Sequence, residues 1–120
     1  MKMSKIETAL RVGLEFKEAF NRRDVAAMMA LLSEDCSLRT ADNITYSGKA
    51  DIRAFWQDFF HTSPGAHLKI EEAFGMGFHC VLRWQRDDAN GASHAHGVDI
   101  FQFRDGFICE QATYVKSDGR

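Results

Sequence analysis

The chain has 120 residues, 45% of them apolar, a formal net charge of -2, and Lys and Arg scattered along its length; this suits one packed domain spanning 1–120 and removes the basic stripe that nucleic-acid binding would need. Its longest apolar run, Val25 to Leu32, is too short and too internal for a signal peptide or a membrane span, so the expectation is a soluble cytoplasmic protein with no membrane partner. Three cysteines, Cys36, Cys80 and Cys109, lie far apart in apolar strand-like runs with no CxxC spacing, which supports neither a disulfide framework nor a zinc site and reads as buried reduced thiols.

Ser4 and Glu7 have the spacing of a capping box, and Ile6, Ala9, Leu10, Gly13, Phe16 and Phe20 recur at three and four residues. They predict a first helix to about Asn21. Asp24 caps a second, shorter helix whose apolar positions are Val25, Met28, Met29, Leu31 and Leu32. A short strand follows over Cys36 to Thr40, then the loop Ala41-Asp42-Asn43. Ile44 to Tyr46 either pairs back or runs on, and Ser47-Gly48 closes the piece. From Ala50 to His61 the positions Ile52, Phe55, Trp56, Phe59 and Phe60 form a helical stripe, which Ser63-Pro64-Gly65 terminates.

Four strand-like runs complete the chain: His67 to Phe74, Phe78 to Arg86, Ser93 to Arg104, and Phe107 to Lys116. Asp87-Asp88-Ala89-Asn90-Gly91 joins the second and third, and Asp105-Gly106 the third and fourth, both with hairpin chemistry. Helices first and hairpins last predict an α+β fold: a cone-shaped, curved antiparallel sheet wrapped around three N-terminal helices, with an internal pocket. On the inner wall Phe78, Cys80, Leu82 and Trp84 would sit beside Asp99, Phe101 and Phe103. Asp99 is out of place in such a row. A carboxylate there is hard to ionise unless paired, and sites of that kind tend to be functional; a wet rim, or a tie to a buried Arg or a backbone amide, would make its role structural.

The order of elements, with AFNRRDVAAMMALLSEDCSL, SGKADIRAFWQDFF and above all VDIFQFRDGFI, resembles the nuclear transport factor 2-like superfamily, and within it the SnoaL-like polyketide cyclases and the ketosteroid isomerases. The resemblance covers nearly the whole chain. It implies that Asp99 stands at the acid that is an oxyanion-hole donor in ketosteroid isomerases and an acid/base in SnoaL-like cyclases. It also implies that the isomerase's general-base aspartate falls at or next to Thr40 and its oxyanion tyrosine at Phe16, so that both functional groups are missing here. No cofactor is implied. A homodimer is.

Other residues complete the expectation. Trp84, Trp56, Phe16, Phe20, Phe55 and Phe59 can stack on a flat ligand, although aromatic stripes at helical or strand spacing are usually core. Thr40, Gln111 and Thr113 are polar at inward strand positions, and Phe101 and Val115 complete the predicted lining. If Asp99 faces in, His94 and His96 fall on the opposite face with Val98 and Ile100, and His79 faces out unless a bulge reverses the parity. His94-Ala-His96 has metal-pair spacing without a carboxylate to complete it, so no metal is expected. Val98, Ile100 and Tyr114 would leave an apolar row on the convex face, suited to a homodimer interface. The expected function is an isomerase, cyclase or dehydratase acting on a small apolar cyclic carbonyl compound, with Asp99 as acid/base or hydrogen-bond donor. The alternatives are a noncatalytic carrier and a dimerisation scaffold.

Overall fold

The computed structural model describes residues 4–88 and 94–117. The expected turn residues Ala89, Asn90 and Gly91, and Ser93 after them, lie outside the described residues. Helix α1 spans Lys5–Asn21. Its capping box is formed in both directions, the Glu7 N–H donating to the Ser4 hydroxyl at 3.1 Å and the Ser4 N–H to the Glu7 carboxylate at 2.8 Å. Two of the orphan donors of the first turn are thereby satisfied. Asp24 caps α2, Val25–Ala30, by accepting from the Ala27 N–H at 3.0 Å. This helix ends before the expected Leu32, because Leu32 is 2% exposed and pairs with Ile108 in the sheet. Strand β1 therefore runs over Leu32–Arg39 and starts four residues ahead of the expected Cys36. Strand β2 is Thr45–Ser47 and α3 is Lys49–Thr62. The last four strands are β3, His67–Met76, β4, His79–Asp87, β5, His94–Arg104, and β6, Phe107–Ser117.

The sheet has the order β2-β1-β6-β5-β4-β3. Strands β3 to β6 form the antiparallel meander that the turn residues predict, and Asp105 and Gly106 both take positive φ, 55° and 84°, as a two-residue primed turn requires. One junction differs from the purely antiparallel expectation. Strand β1 pairs antiparallel with β2 but parallel with β6, since the chain reaches β6 only after α3 and three more strands. Register shifts in β1, between Ile70 and Glu72 in β3, and opposite Gln102 and Phe103 in β6 bend the strands. The sheet curls without closing.

Its concave face is covered by α1 against β3 and β4 and by α3 against β1 and β2. Gly13 allows the close approach of α1: a Cβ there would lie 2.6 Å from the Cys80 Sγ. Along β5 the inward positions Ala95, Gly97, Asp99, Phe101 and Phe103 are buried, while His96, Val98, Ile100 and Gln102 alternate with them. Pairing with β4 runs unbroken from Asp87 and His94 to His79 and Gln102, so no bulge reverses the parity. Phe78 departs from its expected place on the inner wall. It precedes β4, next to Gly77 with φ 60°, and is 51% exposed. Among the described residues no helix is long and apolar enough to cross a membrane.

Candidate functional site

Between the helices and the curled sheet lies a cavity of about 290 Å³. Phe16 and Phe20 reach it from one face of α1, and Phe55, Trp56 and Phe59 from one face of α3, the three- and four-residue spacings that bring side chains together on a helix. Strand alternation supplies Trp84 and Arg86 from β4, Asp99 from β5, and Gln111, Thr113 and Val115 from β6. Leu38 and Leu68 close the wall, and Thr40, Ala41 and Asp42 form part of its rim.

Asp99 is the polar centre of this space. It is 7% exposed, and Thr113, its cross-strand partner, donates its hydroxyl to the Asp99 Oδ1 at 2.7 Å. The Gln111 amide and the Trp84 indole also lie close enough to favour the ionised form, but burial outweighs all three contacts and pushes the carboxyl up to about 6. Among the described residues no cation contributes to its environment, and none of them ties it as a buried arginine would. The Trp84 Nε1–H, although near the carboxyl, has no partner in hydrogen-bond geometry, and the same holds for the Trp56 Nε1–H. Trp84 lies flat on β5 because its neighbour there is Gly97, where a Cβ would fall 2.3 Å from the indole. A glycine inside a strand is the sequence signal for such a close approach, and Gly97 is the residue that lets Trp84 take its place on the cavity wall.

Ten of the residues expected at the pocket besides Asp99 divide unequally. Phe16, Phe20, Thr40, Phe55, Phe59, Trp84, Gln111, Thr113 and Val115 line the cavity. Phe101 does not. It is fully buried, with its ring packed edge-on against Phe16 at 5.4 Å, and belongs to the core behind the wall. Trp56, weighed both as a stacking aromatic and as core, is both core and lining. Arg86 and Asp42 went unnoticed, although the alternation Cys80, Leu82, Trp84, Arg86 is visible in the sequence. Thr40 donates its hydroxyl to the Asp42 carboxylate, so its hydroxyl is engaged at the rim.

The cysteines are thiols in this setting. Burial pushes Cys36 up to about 12 and Cys80 up to about 11, which holds both protonated and unreactive. Among the described residues no group of three or more His, Cys, Asp or Glu side chains could hold a metal ion. The chemistry available is that of one carboxyl in an apolar space: protonated, it donates a hydrogen bond to a carbonyl oxygen; ionised, it takes a proton from an activated carbon or hydroxyl.

The family model described as SnoaL-like domain matches residues 14–111. Among solved structures, a nuclear transport factor 2-like protein of unknown function from Mesorhizobium loti is 26% identical, covers 98% of each chain and superposes with a TM-score of 0.83. A candidate ketosteroid isomerase from Kribbella flavida, 19% identical, covers 99% of this chain and 85% of its own with a TM-score of 0.86. A candidate hydroxylase from Streptomyces galilaeus, 17% identical, covers 94% and 81% with a TM-score of 0.79. Among curated proteins no match is found.

Proposed function

The chain belongs to the SnoaL-like domain family, within the nuclear transport factor 2-like superfamily, and on that footing we propose that it is an isomerase, cyclase or dehydratase acting on a small, largely apolar cyclic carbonyl compound. The observation that carries this reading is Asp99: a carboxyl buried in a largely apolar cavity, with no cation of the described residues close enough to hold it ionised, and pushed up to about 6. Near neutral pH such a group exchanges its proton readily, and a donor aimed at a developing enolate contributes about 3 kcal/mol to the transition state. The reading asks for no cofactor. Phe16 and Thr40 offer neither the phenol nor the second carboxylate of a ketosteroid isomerase, which supports a reaction needing one acid/base group and keeps a noncatalytic carrier as the second reading.

A panel of flat cyclic ketones and phenols, screened by thermal shift and then for turnover, tests both. Stabilisation by at least one ring compound, weakened in Asp99→Asn, is the expected outcome. Failure of every compound to shift the melting transition would overturn ligand binding in this cavity altogether.

We further propose that the protein is a homodimer through the convex face. There Phe74 pairs with Val81, Val81 with Ile100 and Ile100 with Ala112, with Val98 beside Tyr114 in the next row. Phe74 is 44% and Tyr114 56% exposed, an apolar row that pairing with a second copy would cover. Sedimentation at micromolar concentration is expected to give the mass of two chains; a single-chain mass would remove this proposal. The three unpaired thiols accord with a reducing compartment, and we place the protein in the cytoplasm.

A further inference from the structure

Two arginines on β4 contrast. Arg83, on the outer face, is paired with Glu71 at 3.0 Å and Glu72 at 3.1 Å. Arg86 shares the inward parity of Trp84 and lines the cavity. Its guanidinium lies 5.8 Å from the centre of the Phe59 ring, and none of the ion pairs among the described residues includes it. The rim carboxylate of Asp42 accepts the Thr40 hydroxyl instead. Arg86 is thus the one cation on the lining among the described residues. A guanidinium held against an aromatic wall is weakly hydrated and keeps its fork of N–H donors for a planar oxygen pair.

From this geometry, and resting on the reading of the cavity given above, we infer that the ligand is a ring compound with a carboxylate, which Arg86 holds, and a carbonyl or hydroxyl oxygen at its far end, which meets Asp99. The strand sets the distance between the two ends. Asp99 pairs across to Leu82, four residues before Arg86 on the same strand, which is roughly 13 Å of backbone. A rigid body of two fused rings with oxygen groups at opposite ends bridges such a span, with the rings on Phe55 and Phe59.

The probes are 6-hydroxy-2-naphthoate and its neutral amide, 6-hydroxy-2-naphthamide, titrated into the full chain at pH 7 and low salt with intrinsic tryptophan fluorescence as readout. The acid is expected to bind about tenfold or more tightly than the amide, as one charge-assisted fork adds. In Arg86→Gln the ratio falls toward one, and Arg86→Lys restores part of it. The ratio in the wild-type protein tests the inference without any variant. Equal affinity for acid and amide would overturn the role of Arg86 and leave the cavity reading standing. Persistence of the preference in Arg86→Gln would overturn it too. Binding of neither probe would overturn both.

Discussion

Asp99→Asn is expected to lower turnover on any substrate by about a hundredfold or more and, at pH 8, to make the protein more stable than the wild type. The first effect follows from losing the group that donates or takes the proton, a contribution of about 10² to 10⁴ in rate. The second follows from burial. The native carboxyl keeps its proton up to about pH 6, whereas the unfolded chain releases it near 3.8, so between these values the native state binds the extra proton. Stability therefore declines as pH rises through that window, and the penalty is complete above it. A shift from 3.8 to about 6 corresponds to about 3 kcal/mol, which asparagine, neutral at every pH, avoids. Melting curves of the two proteins should separate by several degrees at pH 8 and converge below pH 4. Coincident curves at both would mean that Asp99 ionises like an exposed aspartate. The rate profile then assigns its role: activity rising through about pH 6 identifies a base, and activity falling through it identifies a donor.

Removing Trp56 tests the core rather than the chemistry. The indole is 8% exposed and touches Phe20 at 5.6 Å, Phe55 at 4.9 Å and Phe59 at 5.4 Å between ring centres. It ties α3 to α1 and closes one side of the cavity. Trp56→Ala is expected to destabilise the fold by roughly 3 to 5 kcal/mol, lowering the melting temperature by roughly 10 °C or more. Partial collapse of Phe20 and Phe55 into the vacated space would bring the loss to the lower end. An unchanged melting transition would show that α3 does not anchor the aromatic cluster.

Local pattern alone carried much of this protein. The capping box at Ser4 and Glu7, the aromatic stripe of α3 and the primed turn at Asp105-Gly106 each depend on residues within a few positions of one another, and each forms as the sequence predicts. The inward parity of Asp99 is of the same kind, because alternation along an unbroken strand needs no distant information. Arg86 could have been found by that rule, since it lies two residues beyond Trp84. Tertiary structure alone decided the rest. Leu32 belongs to a strand rather than a helix because Ile108, 76 positions later, is there to pair with it, and no local window contains that partner. Phe101 on β5 and Phe16 on α1 both point into the interior, yet only Phe16 meets the cavity, since how far each ring reaches depends on how α1 seats on the sheet at Gly13. A cavity is space left over when distant elements meet, and periodicity specifies which faces meet without specifying how closely they pack.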